Sequence, residues 1–305
     1  MSRRVGVLMG GLSSERAISL KSGQAVAAAL RERGHEVVEL LVDRDLARRL
    51  VEHPIDVAWI ALHGRFGEDG CVQGMLEVLG VPYTGSGVLA SAVCMDKAAT
   101  KRALRGVSEV SLAADRVLHR GEVVSDCPAP CVIKPAVGGS TLGIVKVDAP
   151  DAVDSAVFEA LKLDPVVLVE EFIEGPEITV AVLDGRALPV IGIVPQSGFF
   201  DFKAKYQKGA TRYEVPSTLP SPVTARAQEA AEAAYRTLGC RGLARADFIV
   251  RADGVPIFLE INTLPGMTPT SLSPMAASLT GMTFADLCES VLETAQCMPE
   301  EPEMT

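Results

Sequence analysis

The chain has 305 residues, 48% hydrophobic and 22% charged, a globular composition that sets an expectation of two domains, or three small ones. Its 29 Lys and Arg stand against 39 Asp and Glu, and the formal charge of -10 excludes a polyelectrolyte role on nucleic acid or anionic membrane while allowing local basic patches. No apolar run approaches the ~20 residues of a membrane span, the N-terminal run Val5 to Met9 is too short for a signal peptide, and seven Cys without a Cys-x-x-Cys pair read as reduced thiols of a cytoplasmic protein.

The first third alternates strand and helix. Val5 to Met9 is an apolar strand ending in Gly10-Gly11. Ser13 or Ser14 caps a helix that runs to about Arg33 and stops at Gly34. Glu36 to Val42 is a second strand, and Asp56 to Leu62 a third, ending at His63-Gly64. This spacing implies a parallel sheet, whose ligands gather at the carboxyl ends of the strands. Gly10-Gly11 and His63-Gly64 both sit there, two loops facing one crevice.

The texture then changes. Met95 to Leu104 reads as a helix, and Pro128-Ala-Pro130 as a linker into the strand Cys131 to Lys134. The glycine loop Gly138 to Gly143 joins that strand to Ile144–Val147 as a hairpin. Strands follow at Val166 to Phe172, Ala187 to Ile193, Leu243 to Val250 and Ile257 to Asn262. A helix starts near Ser221-Pro222 and stops at Gly239. The segment Phe199 to Tyr213 holds three Lys and one Arg against one Asp, a formal +3. Its aromatics beside cations, with Gly209 as a hinge, suit a lid. The acidic tail from Met298 to Thr305 reads as disordered.

Strand alternation locates candidate chemistry. Residues 243, 245, 247 and 249 share one face, so Arg245 and Asp247 point the same way. On the next strand, alternation sets Ile257, Leu259 and Ile261 opposite Phe258, Glu260 and Asn262. Oxygen donors of Asp, Glu and Asn suit magnesium, which keeps waters and shares phosphate oxygens; a solvated face with an Arg–carboxylate pair is the other reading. The glycine loop can wrap phosphate with backbone N–H groups, although a hairpin needs glycine anyway. Lys134 precedes it among apolar neighbours, where an unpaired ammonium is costly; it either pairs with the anion the loop binds or reaches the surface. Glu15 in the first turn of a helix complements the dipole. His63 at a strand end is a site residue or a capped loop histidine.

Taken in order, these strings resemble the D-alanine–D-alanine ligase family of the ATP-grasp superfamily. The resemblance is carried by Gly10-Gly-Leu-Ser-Ser-Glu-Arg16, His63-Gly-Arg-Phe-Gly-Glu-Asp-Gly70, Gln73-Gly-Met-Leu-Glu77, Pro82-Tyr-Thr-Gly-Ser-Gly87 and Met95-Asp-Lys97. It continues through Lys134-Pro135, Gly139-Ser140, Gly175-Pro-Glu177, Ala204-Lys-Tyr206, Arg245-Ala-Asp247 and Glu260-Ile-Asn-Thr-Leu-Pro-Gly-Met-Thr268, and ends near Cys297. At 137–138, where family members often carry a charged pair, this chain has Val137-Gly138, which leaves backbone contacts there.

The resemblance implies an α/β and α+β fold, an N-terminal Rossmann-like parallel sheet followed by two ATP-grasp lobes. It divides the chain into residues 1–94, a central ATP-binding lobe at 95–178, and a C-terminal lobe at 179–305. Lys97 and Lys134 would hold the nucleotide phosphates. Glu170 with the backbone of Glu171 and Ile173 would meet adenine, and Glu177 the ribose. Asp247, Glu260 and Asn262 would hold two Mg2+ or Mn2+ ions. Glu15 would take the ammonium of the first D-alanine in a network with Ser140 and Tyr206. Arg245 and the backbone at Gly266 would face the developing oxyanion, Ser271 and Lys205 would receive the second substrate's carboxylate, and His63 and Leu272 complete the substrate set.

The implied activity is ATP-dependent joining of two D-alanine molecules through an acyl phosphate, for peptidoglycan precursors, by a cytoplasmic homodimer with no nucleic-acid or membrane partner. The alternative is a D-alanine–D-lactate ligase or another ATP-grasp carboxylate–amine ligase. Within the resemblance, Tyr206 favours the dipeptide product, because lactate-making relatives depart from Tyr there.

Overall fold

Strand β1 (Arg4–Gly10) is buried from Val5 onward because it is the middle strand of a parallel sheet, between β2 (Glu36–Val42) and β3 (Val57–Ile60). A strand covered on both faces reads as a continuous apolar run, which is how Val5 to Met9 reads. The computed structural model describes residues 2–122, 127–138, 143–195 and 211–298. The third strand is shorter than its apolar run: the chain leaves the ladder after Ile60, although Ala61 N still donates to Leu8 O at 2.9 Å.

Helix α1 (Arg16–Glu32) covers one face of this sheet. Its buried residues Ser19, Ser22, Gly23, Val26, Ala27 and Leu30 recur at helical spacing. A Cβ at Gly23 would lie 2.5 Å from the Cβ of Met9, so the close helix–strand approach requires glycine there. The expected serine cap is not formed. Glu15 is the capping residue without a side-chain cap bond, and the Ser13 hydroxyl instead donates to His63 O at 2.6 Å. The stop is as expected, with Gly34 at φ +86. The opposite face packs under α2 (Leu46–Glu52) and α3 (Cys71–Val78), where Leu8, Leu40, Ile60, Leu50 and Leu76 form one cluster.

The helix expected over Met95 to Leu104 starts two residues later, at Lys97. Met95 ends α4 (Val88–Met95), Asp96 breaks the helix at φ -104 and ψ 109, and α5 (Lys97–Leu104) restarts behind it. Asp96 caps the restart by accepting from Ala99 N at 3.0 Å. That break fixes where Lys97 and Lys101 emerge.

A second, antiparallel sheet has the order β5-β8-β6-β7, from β5 (Asp115–His119), β6 (Cys131–Pro135), β7 (Val145–Val147) and β8 (Val166–Glu171). The hairpin read across the glycine loop is present, with Cys131 opposite Val147. Helix α6 (Val153–Leu163) closes its core through Val153, Val157 and Ala160.

The third sheet has seven strands among the described residues. Its path is β12 (Thr211–Glu214), β11 (Ile191–Pro195), β9 (Glu177–Leu183), β13 (Leu243–Val250), β14 (Pro256–Asn262) and β4 (Ser111–Leu112), with β10 (Arg186–Ala187) beside β9. The strand expected over Ala187 to Ile193 is thus two short ones. Pro189 lies between them and has no N–H to give a ladder. Helix α7 (Ser221–Thr237) lays Ala227, Ala230, Ala231 and Ala234 on the sheet; Pro220, not Ser221, is its capping residue.

The register between β13 and β14 slips between Asp247 and Phe248, a β-bulge. Asp247 faces Glu260, whereas Phe248 faces Phe258, so Leu259 is the extra residue. Simple alternation put Phe258 on the face of Glu260. The bulge turns it the other way, into the core with Ile261, where its ring meets Phe248 edge-on at 5.8 Å. Such a pair adds ~0.5–1.5 kcal/mol beyond its buried area. Glu260 and Asn262 are left on the face of Asp247 and Arg245.

Helices α8 (Leu272–Ser278) and α9 (Phe284–Glu293) return to the first sheet, so Ala276, Leu287 and Val291 share a core with Val7, Val26 and Trp59. Thr283 and Asp286 form a capping box on α9. The first and last described helices and the first sheet are therefore packed together, which brings the loop after β14 against the loops after β1 and β3.

Candidate active site

The loops after β1 and β3 are tied to each other. Ser13 Oγ donates to His63 O and accepts from Glu15 N at 3.2 Å. Gly64 sits at φ +69, and a Cβ there would lie 3.0 Å from Glu15 Oε2 and 3.1 Å from Ser13 Cβ. Glycine at this strand end lets the Glu15 carboxylate approach. His63 is buried, with Nδ1 3.1 Å from Leu264 O. A carbonyl only accepts, so in the neutral ring Nδ1 carries the proton and Nε2 faces Ser22 Oγ at 3.5 Å. Ser22 Oγ in turn accepts from Met267 N at 3.2 Å. His63 thus links the first sheet to the loop after β14.

On the third sheet, Arg245 forks onto Asp247, Nε to Oδ1 at 2.9 Å and Nη2 to Oδ2 at 2.8 Å. Thr179 Oγ1 donates to the same Oδ1 at 2.5 Å. Burial works to lower the Arg245 pKa, but Asp247, Glu260 and Glu68 outweigh it and hold the guanidinium above its ordinary value. Asp247 lies opposite Glu260 in the ladder and Arg245 opposite Asn262. The Asn262 Oδ1 accepts from Leu264 N at 2.9 Å.

Among the described residues no three His, Cys, Asp or Glu side chains converge as a metal cluster. The oxygen set is two carboxylates and an amide, which fits a magnesium ion that fills its remaining positions with water and phosphate. Asp247 has three of its roughly four acceptor directions taken, leaving Oδ2 able to ligate. The residues fit the ion.

Glu15, Glu68, Lys97, Gly138, Glu260 and Asn262 line one cleft. Lys97 Nζ donates to Gly138 O at 2.5 Å and lies 3.7 Å from Glu260 Oε2. The Gly138 carbonyl thus holds the Lys97 ammonium at the edge of the glycine loop. Gly266, Ser271 and Leu272 lie in the segment that follows β14. Ser271 precedes α8, and its Oγ accepts from Thr268 N at 3.1 Å and sits 3.2 Å from where a Gly266 Cβ would be. Leu272 packs partly into the shared core.

A second ionic group lies on the four-stranded sheet. Lys134 Nζ is 2.7 Å from Glu170 Oε2, and Lys101 Nζ is 2.6 Å from Oε1. The Lys101 approach is oblique, an ion pair without an aligned hydrogen bond at that oxygen. Lys134 neither reaches the surface nor lacks an anion: the anion is Glu170. Burial works to raise the Glu170 carboxyl, yet Lys134 and Lys101 prevail and hold it below the usual range. Burial pushes Lys101 down, against the pull of Glu170. At the end of β8, Glu171 N donates to Ala114 O at 2.9 Å; beyond it Ile173 is buried against Ala113 and Ile257, and Glu177 opens β9.

Ser140, Lys205 and Tyr206 lie outside the described residues, as do 139–142 of the glycine loop, 199–210 of the basic segment and the tail from 299. All seven cysteines are free thiols. Two site residues escaped the sequence reading. Glu68 is buried at the cleft, accepts from Gly64 N at 2.8 Å, and has Oε1 3.6 Å from His63 Nδ1. Lys101 is 1% exposed. Its signal was available: a lysine four residues after Lys97 shares its helix face.

Sequence models of the D-ala D-ala ligase C-terminus and N-terminus match residues 108–293 and 46–86. A D-alanine--D-alanine ligase of Anaeromyxobacter sp. (strain K) is 49% identical over 299 residues, spanning 96% of this chain and 97% of the relative. One from Syntrophotalea carbinolica is 47% identical, covering 96% of each. The crystal structure of a D-alanine--D-alanine ligase from Bacillus anthracis complexed with ATP matches with a TM-score of 0.84 at 36% identity, over 96% of this chain and 97% of that one.

Proposed function

The chain belongs to the D-alanine–D-alanine ligase family, and from that membership we propose which of its residues carry the reaction. It is an ATP-dependent, ADP-forming enzyme that joins two D-alanine molecules into D-alanyl-D-alanine through an acyl phosphate, for peptidoglycan precursor synthesis. ATP and divalent metal ions are its cofactors.

The chemistry sets an electrostatic task. A carboxylate must approach a triphosphate, and repulsion forbids it unless cations intervene. Lys97 and Lys134 supply fixed positive charge to the phosphates. Asp247, Glu260 and Asn262 would hold the divalent metal, which when bound neutralises the triphosphate further. Glu170, with the backbone of Glu171 and Ile173, meets adenine, and Glu177 meets the ribose. Glu15 takes the ammonium of the first D-alanine in a network with His63, Ser140 and Tyr206. Arg245 and the backbone at Gly266 face the oxyanion that develops when the second amine attacks. Ser271, Leu272 and Lys205 receive the second D-alanine.

One juxtaposition supports this reading above the rest. Glu15 from the first sheet, Lys97 from α5, and Glu260 and Asn262 from the third sheet line the same cleft. An ammonium acceptor, a phosphate cation and a set of oxygen ligands thereby meet where substrate and nucleotide must touch.

We further divide the chain into units at 1–94, 95–178 and 179–305, and place it in the cytoplasm as a homodimer. No helix among the described residues is long and apolar enough to cross a membrane. The test is phosphate release from ATP and magnesium with D-alanine against L-alanine, the product identified by mass. D-alanyl-D-alanine formed only from the D-isomer is expected. Release that does not depend on D-alanine, or a D-lactate ester preferred over the dipeptide, would overturn the substrate assignment.

A further inference from the structure

Glu170 has two cationic partners where one would neutralise it. The side chains of Lys101, Glu170 and Lys134 are 1%, 4% and 6% exposed, and the trio carries a formal charge of +1. Burying a net charge is costly, so a surplus ammonium in such a place calls for a reason. Lys101 is not placed to touch a ligand itself. Its ammonium also donates to Ala113 O at 3.3 Å, away from the cleft that Lys97 lines one helical turn earlier. Lys134 is different, because its strand ends at Pro135, only three residues before Gly138, the residue whose carbonyl receives Lys97.

We propose that Lys101 is the standing counter-ion of Glu170, a positioning residue that leaves the charge of Lys134 available to a nucleotide phosphate. The inference rests on the reading of Lys134 as a phosphate ligand. Lys134 and Glu170 alone would make a neutral pair. A phosphate would then have to draw Lys134 from the only cation balancing a buried carboxylate. With Lys101 on the other oxygen, Glu170 stays neutralised whichever way Lys134 turns. The phosphate then completes an alternating row: Lys101, Glu170, Lys134, phosphate.

The row makes a prediction about charge that simple packing does not. Lys101→Met removes the surplus charge and locks Lys134 onto Glu170. Adding Glu170→Gln should free Lys134 again, although it removes a second buried ionic group. The measurement is the ratio of ATP to adenosine affinity by calorimetry in magnesium buffer, because adenosine reports the base and ribose contacts alone. In Lys101→Met the ratio should fall on the order of 10- to 100-fold, the scale of a lost hydrogen bond to a charged group. In Lys101→Met/Glu170→Gln it should return to within about threefold of wild type, well inside that loss. An unchanged ratio in the single variant, or a fall that persists in the double variant, would overturn the counter-ion role. If the single variant does not fold, the double variant decides alone: a wild-type ratio supports the role and a depressed ratio overturns it. Lys134→Met separates the premise. An unchanged ratio there removes the phosphate reading itself, whereas a fallen ratio with Lys101→Met unaffected removes only the inference.

Discussion

Arg245 holds the carboxylate of Asp247 from two residues away on one strand, with both contacts between 2.8 and 2.9 Å. Alternation puts the two side chains on the same face, and the planar guanidinium matches both oxygens at once. Thr179 on the neighbouring strand donates to Oδ1, so neither group can turn without breaking a buried contact. A cation proposed for the oxyanion and a carboxylate proposed for the metal are thereby fixed relative to each other before any ligand arrives.

Arg245→Lys keeps the charge and loses the fork. Turnover should fall ~10²-fold or more, the scale for one missing oxyanion donor, while ATP affinity changes little. Steady-state kinetics beside a direct ATP-binding measurement checks both halves. Lost ATP binding with preserved turnover would move Arg245 out of the oxyanion role.

Glu260→Gln is the cleaner probe of the metal assignment, because Glu260 is only half-buried, whereas Asp247→Asn also strips the buried Arg245 of its partner. Both variants should need more magnesium, beyond the ~10–100-fold typical of losing an outer-shell partner. Only Asp247→Asn should also lose several kcal/mol of stability, the ~3–5 kcal/mol of breaking a buried pair. Magnesium titrations of activity and urea unfolding of each variant separate the two effects. Normal magnesium dependence in Glu260→Gln would end its role as a ligand.

The parallel first sheet was legible because Val5 to Met9 is buried throughout, and burial writes itself into local sequence, while the second strand Glu36 to Val42 follows a helix with a clear glycine stop. The shared face of Arg245 and Asp247 was legible for the same reason. What was not legible depended on partners far away in the chain. The slip at Leu259 answers the packing of Phe258 on Phe248, and nothing within Ile257 to Asn262 announces it. The break at Asp96 hides because Met95 and Lys97 both favour helix, and the interruption is a tertiary demand met by an Asp cap. The sequence left Lys134 either paired with the anion that the glycine loop binds or at the surface; its partner is instead Glu170, which comes to it from β8, two strands along in sequence. Lys101 carries a sequence signal in its spacing from Lys97, whereas Glu68 is raised above its neighbours only by its burial.

Gly64→Ala tests how the Glu15 carboxylate is placed. An L side chain at φ +69 costs ~1–2 kcal/mol, and its Cβ would crowd both Glu15 Oε2 and Ser13 Cβ. The cost should appear as lower stability and, separately, as a raised KM for the first D-alanine with ATP affinity unchanged. A variant that loses stability while keeping its KM would mean that Glu15 does not meet the ammonium.

The ionic trio on the four-stranded sheet should write itself into acid unfolding. Burial works to raise the Glu170 carboxyl, but Lys134 and Lys101 prevail and hold it below its ordinary 4.5. The unfolded chain therefore takes up this proton at a higher pH than the folded one. The trio's contribution is fully present above about pH 4.5 and is lost as pH falls through the depressed folded value. Lys101 runs the other way at the alkaline end: burial lowers it from 10.5, so its ammonium costs stability at neutral pH and the cost is relieved as pH rises through the folded value. Glu170→Gln should be less stable than wild type at neutral pH, since two buried ammonium groups lose their carboxylate. It should lose less on going from about pH 6 to about pH 3, because the titrating group is gone. Urea midpoints across that range measure the difference, and parallel curves for the two proteins would mean that Glu170 is not held ionised by its two lysines.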